Sequence, residues 1–461
     1  MNKSLINEIK KIVGAENVLT SVEERYVYAL DATNKPNIDQ LPEVVVFVEE
    51  IEQVQKIAKL SYDNEIPIIS RGAGTNLVGA CIVESGGIVL NFTKMNKILE
   101  ISQENLTARV QAGVVVGDLQ RRVEEFGLFY PPDPSNLKVS TIGGSIGLSS
   151  GGPRTFKYGN TRNYVIDLKV VLADGTLLRT GSNTVKNSTG YHLTDIFIGS
   201  EGTLGIIVEA TLKLIPKPET SRLVLAYFDK ISDATLAVNK IIEGKITPST
   251  LDILDKKTIQ TIESFCPAGF KTDKEAVLFL EVDGFSIAID YQQAKVVEMC
   301  KKAGASAIEV CKDAKEAEVF WTSRRSSFGA CAELKPNVVA EDVVVPRKNM
   351  AKLVEGIREI CDRNNVIVCI MGHVGDGNVH PNIPLDINND EDLKNYKIAK
   401  DEIHKLAVDL GGTLSGEHGI GSEKTKYMTY AINNVALDYM KRMKKMFDEK
   451  NILNPKKVLP Q

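Results

Sequence analysis

The stretch IPIISRGAGTNLVGA, residues 66–80, runs from an apolar strand pattern directly into Gly72, Gly74 and Gly79. A strand that opens onto glycines is how a dinucleotide-binding βαβ unit begins. The GxGxxG fingerprint fails here, because Leu77 stands where a third glycine would let helix and strand pack closely. What remains is a run of backbone amides freed from side chains, which forms an anion-binding nest without that fold. Four further stretches share the property: PPDPSN (131–136), TIGGSIGLSSGGPR (141–154), VKNSTGYHLTDIFIGSEGTLGII (185–207) and NILNP (451–455). Together they describe a large, flat ligand met by backbone.

Working outward, VVVFV (44–48), a helical pattern over 51–62 and IPIIS (66–70) alternate in the first part of the chain. LKVVLADGTLLRT (168–180) predicts a hairpin in which Asp174 and Gly175 supply the positive φ angles of a two-residue turn. An apolar strand pattern over 203–215 ends at PKPET (216–220), whose prolines mark a domain boundary. Beyond it RLVLAYF, AVLFLEV and VIVCIM alternate with amphipathic helices, predicting an α+β domain with helices on one face of a sheet. A helix is expected over 437–450, with its lysines on a solvated face. The expected division is therefore 1–220, 221–410 and a C-terminal segment 411–461.

Composition excludes several classes. The 461 residues suffice for two or three domains, and 56 basic against 60 acidic residues leave a net charge of −4 with no long basic block. No nucleic-acid partner is expected, since nothing would neutralise its phosphates. No stretch reaches the ~20 apolar residues of a spanning helix, and residues 1–14 pattern as an amphipathic helix without a secretory apolar core. The expected location is cytoplasmic, at most peripheral to the inner face of the membrane. Seven cysteines without a CxxC pair read as reduced, mostly buried thiols.

GHVGDGNVHPN (372–382) holds two of the five histidines. If Asp376 and Gly377 form a two-residue turn, Val374 faces Val379 and His373 faces His380 on one face of a hairpin, within reach of a shared ion. A divalent ion needs a third protein ligand, and SGEHGIG (415–421) offers Glu417 beside His418.

Over residues 40–461 these motifs resemble the FAD-linked 2-hydroxy-acid oxidoreductases, a family that includes D-lactate dehydrogenase and the glycolate oxidase catalytic subunit, within the vanillyl-alcohol-oxidase (PCMH/VAO) type of flavoprotein. The resemblance implies an α+β fold: a PCMH/VAO-type FAD-binding domain, an α+β cap domain for substrate and a C-terminal segment completing the site. It implies FAD contacts from Arg71, Gly72, Ala73, Gly74, Thr75, Asn76, Pro132, Asp133, Ser135, Gly143, Gly144, Ser145, Gly152, Glu201, Gly202, Gly205, Ile207 and Asn454. Thr75 stands where covalently flavinylated relatives carry histidine, so the FAD is expected to be non-covalent. Ser145 and the SSGG stretch depart from the commoner asparagine-bearing versions of those motifs.

By the same resemblance His373, His380 and Glu417 correspond to ligands of a divalent metal (Zn, Mn or Fe), and His418 to the catalytic base. Arg324, three residues after Trp321, corresponds to the arginine whose fork grips the substrate carboxylate, and Asn382 to a substrate contact. The implied reaction is oxidation of a small 2-hydroxy acid, with metal assistance to the hydroxyl, proton removal by His418 and hydride transfer to FAD. Relatives acting on 2-hydroxyglutarate carry a lysine near the segment matching VVAEDVVVPR, where this chain has Val339, Ala340 and Glu341; that favours D-lactate or glycolate. With no second redox centre recognisable, electrons would pass to a separate protein acceptor, such as electron-transfer flavoprotein or an iron-sulfur subunit, or to a quinone. Two rival classes fit parts of the pattern: a flavin-free non-haem metal oxygenase using the two histidines and Glu417, and a non-catalytic flavin relay subunit. The first leaves the glycine loops idle, and the second has no need of the hairpin histidines.

Overall fold

The computed structural model describes residues 1–33 and 40–460. By its internal contacts the chain divides into two compact units: Met1–Ser150, Asn160–Lys217 and Glu417–Gln461 form the first, Gly151–Gly159 and Pro218–Gly416 the second.

Two sheets build the first unit. In one, the strands Val18–Leu19, Val44–Phe47, Ile88–Asn91 and Ile68–Arg71 lie in that order, the first pair antiparallel and the rest parallel. Val44, Val45 and Val46 are all buried, as an apolar run covered on both faces requires. Helices Lys3–Val13 and Ile51–Asn64 supply Ile9, Val13, Val54 and Ile57 to the core containing Val44, Ile68 and Ile88. Ile68–Arg71 is an edge strand, and the C-terminal tail completes it: Ile68 N–H donates to Ile452 O and Asn454 N–H to Ile68 O, both at 2.8 Å.

The other sheet is antiparallel, in the order Ile98–Ser102, Thr107–Gln111, Ile206–Lys213, Val165–Val171, Leu177–Arg179. Its last two strands form the hairpin expected around Asp174 and Gly175, but with a longer connection. Val171 faces Leu177, and Leu172 N–H donates to Thr176 O at 2.9 Å, leaving Ala173, Asp174 and Gly175 as the loop. Only Gly175 has positive φ, +86°, whereas a type I′ turn needs it at both central positions. Asp174 instead accepts from Thr176 N–H at 2.9 Å, an Asx-type turn that suits the longer loop.

The second unit carries an eight-stranded antiparallel sheet among the described residues. The strand order is Ala307–Val310, Thr220–Phe228, Ala276–Gly284, Thr250–Asp255, Cys369–His373, Asn378–Leu385, Asn337–Ala340, with Val343–Val344 also paired to Asn378–Leu385. Helices cover both faces, where the sequence pattern predicted one. Ile231–Glu243, Ser286–Lys302, Met350–Arg363 and Asp390–Asp409 pack with Val224, Ala226, Leu278 and Ile253. Lys256–Phe265, Ala314–Arg325 and Ser327–Cys331 pack with Leu223, Leu225, Phe279 and Leu254. The reason is written in RLVLAYF and AVLFLEV: alternate residues in each run are equally apolar, so each strand needs cover on both sides.

Candidate active site

The first unit's glycine-rich loops line a pocket partly open to solvent. Arg71, Gly72, Ala73, Gly74, Thr75, Asn76, Gly143, Gly144, Ser145, Glu201, Gly202, Gly205 and Ile207 line it, and so do Cys81, Asn136, Ser140 and Thr141, which the motif reading passed over. Close approach explains the glycine at 72: a Cβ there would lie 2.2 Å from Thr141 Oγ1, the atom that caps helix Ile142–Leu148 by accepting from Gly144 N–H. Of the remaining expected contacts, Pro132, Asp133, Ser135 and Asn454 are not among the lining residues. Pro132 O accepts from Gln120 Nε2 at 2.8 Å and Ser135 is exposed. Asn454 acts as a tie, donating from Nδ2 to Ala80 O at 2.9 Å and Glu201 O at 2.8 Å. Gly152 lies in the second unit.

The cavity wall suits a polar cofactor. Ser70 Oγ, Arg71 Nη1, Asn76 Nδ2, Ser140 Oγ and Ser145 Oγ are buried there without a protein hydrogen-bond partner, an arrangement native proteins keep for a ligand or ordered water. Arg71 adds the only formal cation on the described lining, held beside the Tyr28 ring with its guanidinium 5.6 Å from the centroid. Cys81 does not offer a reactive thiolate, since burial pushes its thiol up to about 11.

In the second unit, strands Cys369–His373 and Asn378–Leu385 form the expected hairpin in an unexpected register. Met371 faces His380, Gly372 faces Val379 and His373 faces Asn378, so the connection is residues 374–377 rather than a two-residue turn. Gly377 has φ +91° but Asp376 has no positive φ, and a type I′ turn is thereby excluded. The slip is two residues, which preserves the face; one residue would have reversed it. His373 and His380 are therefore diagonal neighbours, with ring centroids 5.1 Å apart.

A buried carboxylate is bonded to one of these imidazoles and a second lies near the other. Asp252, directly across the strand pair from His373, accepts from its Nδ1 at 2.6 Å, the kind of carboxylate partner that orients a metal-ligating imidazole. Asp342 Oδ1 lies 3.7 Å from His380 Nδ1 and accepts from Asn378 Nδ2 at 2.6 Å. Its Oδ2 accepts from Ser415 Oγ at 2.6 Å and Gly416 N–H at 2.9 Å, fixing the chain immediately before Glu417, where it leaves the second unit. His373, His380 and Glu417 each present a ligand atom, all within 4.8 Å of one another. Two imidazole nitrogens and a carboxylate oxygen at that spacing fit one borderline divalent ion with bonds of about 2.0–2.2 Å.

Arg324 is buried, but its fork is engaged: Nε and Nη2 donate to Asp252 Oδ2 at 3.0 and 2.8 Å. The two-point grip on a substrate carboxylate expected from sequence is thus replaced by a grip on Asp252, leaving Nη1 for a further contact. Burial alone would raise the Asp252 carboxyl, but the neighbouring His373 and Arg324 outweigh it and hold it below the usual range. Asn382, on the same strand face as His380, has a buried Nδ2 without a protein partner. Glu341 is committed elsewhere, to Tyr396 Oη at 2.7 Å, His404 Nε2 at 3.0 Å and Lys400 Nζ at 3.2 Å.

Comparison with known proteins bears on both units. Residues 42–181 match the FAD binding domain model and residues 217–458 the model for the C-terminal domain of FAD linked oxidases. The chain is 43% identical over 458 residues to glycolate oxidase subunit GlcD of Bacillus subtilis, covering 99% of this chain and 97% of that protein. The chain belongs to the FAD-linked oxidase family. It is 34% identical to a D-lactate dehydrogenase of Anaerostipes hadrus, over 90% of this chain and 89% of that one. In fold it is similar to p-cresol methylhydroxylase, with a TM-score of 0.84 at 18% identity over 98% of this chain and 96% of that chain.

As a member of that family the protein is an FAD-linked oxidoreductase of the PCMH/VAO-type fold. Among the described residues no helix is long and apolar enough to cross a membrane. Residues the motif reading missed in this oxidase are Asp252 and Asp342. Each is one of two acids inside a largely apolar run, with Asp255 in TLDILD and Glu341 in VVAEDVVV, and a charge in such a run must find partners if the strand is buried.

Proposed function

We propose that the protein oxidises a small 2-hydroxy acid, D-lactate or glycolate, to the 2-oxo acid with FAD and a divalent metal, and hands the electrons to a separate acceptor such as electron-transfer flavoprotein or an iron-sulfur subunit. The observation that carries this reading is the grouping of His373, His380 and Glu417, with Asp252 behind one imidazole and Asp342 beside the other. FAD supplies a hydride acceptor when bound, and a divalent ion supplies positive charge beside the substrate hydroxyl.

The chain's own residues do the rest. The glycine-lined wall with Arg71 would hold the dinucleotide, and its buried hydroxyl and amide groups would orient it. His418 would take the proton from the substrate hydroxyl, a contribution of about 10²- to 10⁴-fold for a general base. Asn382 Nδ2 would donate to the substrate, and Arg324, neutralised on one side by Asp252, would offer Nη1 to the carboxylate. Support for a small monocarboxylate comes from Lys400, whose charge is 3.2 Å from Glu341 and thus already matched. The names of the relatives in Bacillus subtilis and Anaerostipes hadrus agree with a hydroxy-acid substrate.

The test is anaerobic bleaching of the flavin band by lactate enantiomers, glycolate, 2-hydroxybutyrate and 2-hydroxyglutarate, repeated after chelation and with His418→Ala. D-lactate or glycolate should bleach the wild type, and both treatments should slow bleaching at least 10²-fold. No bleaching by any acid would refute the substrate class. Full-rate bleaching after chelation and in the variant would refute the assignment of metal and base.

A further inference from the structure

We propose that Glu201 is a positioning residue for the loop that carries His418, holding it against the wall of the flavin cavity. The proposal rests on the reading of His418 as the base. Glu201 is buried and spans the loop with both oxygens: Oε1 accepts from Ile420 N–H at 2.7 Å and Oε2 from Gly421 N–H at 2.8 Å. One carboxylate bonded to two successive peptide N–H groups fixes the orientation of the backbone itself, and His418 lies two residues upstream.

The anchor is fixed in its turn. Glu201 N–H donates to Gly147 O at 2.9 Å, and Glu201 O accepts from Asn454 Nδ2 at 2.8 Å, so cavity wall and C-terminal tail both hold it. It sits at φ +52°, a left-handed conformation that a glutamate adopts only where its surroundings dictate it. The loop is shaped to accept the carboxylate. Gly419 has φ +90°, and a Cβ there would lie 2.8 Å from Glu201 Oε1 and 2.8 Å from Leu148 Cδ2. On its far side the loop is pinned by Ser422 N–H donating to Val78 O at 3.0 Å. Within the first unit Glu201 thus fixes the backbone immediately after Glu417 and His418. Misplacement of a reacting group by about 1 Å reduces a rate on the order of 10²-fold, which is the scale of effect such an anchor controls.

Glu201→Gln keeps the volume but replaces one acceptor oxygen with an NH₂ that faces a backbone N–H. In the flavin-loaded protein, amide hydrogen exchange at Ile420 and Gly421 should accelerate roughly tenfold or more while the sheet cores stay protected. Flavin reduction by the active 2-hydroxy acid should slow about 10- to 100-fold at saturating substrate, with the half-saturating concentration unchanged and reduction by dithionite at full rate. Unchanged exchange, or accelerated exchange with full-rate substrate reduction, would overturn the proposal. Should Glu201→Gln not fold, Gly419→Ala pushes the loop off the same carboxylate and must give the same pair of effects. Fast exchange of the two amides in the wild type would also overturn it. If no 2-hydroxy acid reduces wild-type flavin, the functional reading fails, and the exchange measurement still decides whether Glu201 anchors the loop.

Discussion

Asp252→Asn separates two consequences of one buried carboxylate. Asp252 is fully buried and serves both His373 and the buried Arg324. Asparagine keeps its shape but removes the charge that balances the guanidinium. An uncompensated buried charge destabilises by about 3–5 kcal/mol. Loss of the carboxylate behind a ligating imidazole reduces metal affinity by about 10- to 100-fold, equivalent to roughly 1.4–2.7 kcal/mol. The two terms come apart in a second variant, Asp252→Asn with Arg324→Met, where the unmatched cation is gone: stability should recover most of its loss while metal affinity stays low. Urea unfolding of metal-stripped protein reads the first quantity, free of ligand linkage, and competition with a chelator of known affinity reads the second. If the single variant lies within about 1 kcal/mol of wild type and binds metal unchanged, the account of this centre is wrong. If the double variant is no more stable than the single one, the charge-balance argument fails on its own.

Gly72→Ala should lower FAD occupancy, read from the visible absorbance per chain, because the added methyl meets Thr141 Oγ1 and displaces the cap of helix Ile142–Leu148. The lost cap should itself destabilise the protein by about 1 kcal/mol. The Glu201 carboxyl is pushed by burial from 4.5 up to about 7, against the opposing pull of the Ile420 and Gly421 amides and of Lys457 and Lys424. Its folded-state value exceeds its unfolded one, so its contribution to stability is full below about 4.5 and is lost as pH rises through about 7. The change is on the order of 3 kcal/mol, and urea midpoints at about pH 5 and pH 8 should therefore differ less in Glu201→Gln than in wild type.

The glycine loops were legible because glycine encodes a backbone requirement locally: residues 71–76 and Gly143, Gly144 and Gly205 are spaced for a ligand and meet around one cavity. Buried partners were not, since Asp252 stands 121 residues from His373 and its role depends on strand order, which no local pattern records. The hairpin shows the limit of turn chemistry. Asp-Gly pointed to the right connection and the wrong length at both Asp174 and Asp376, because an aspartate in such a loop also has the option of an ordinary negative φ, which at Asp174 comes with a side-chain-stabilised turn. The parity of the strand nevertheless put both imidazoles on one face. Arg324 was singled out by resemblance, and its bonds to Asp252, 72 residues away in sequence, were not legible because they depend on how strand and helix meet.

The closing rung on Ile68, made by Ile452 and Asn454, has a consequence for how the molecule comes into being. On a translating ribosome the strand Ile68–Arg71 emerges early and then waits, one edge bare, until residues 452–454 have been made. Residues 218–416 are contiguous and emerge during that wait, whereas the glycine-lined cavity of the first unit acquires Asn454, the tie between Ala80 and Glu201, only after them. Synthesis therefore has a built-in order: residues 218–416, the main stretch of the second unit, are made before the edge strand and cavity wall of the first are closed, and a chain released before residue 454 lacks the piece that closes them.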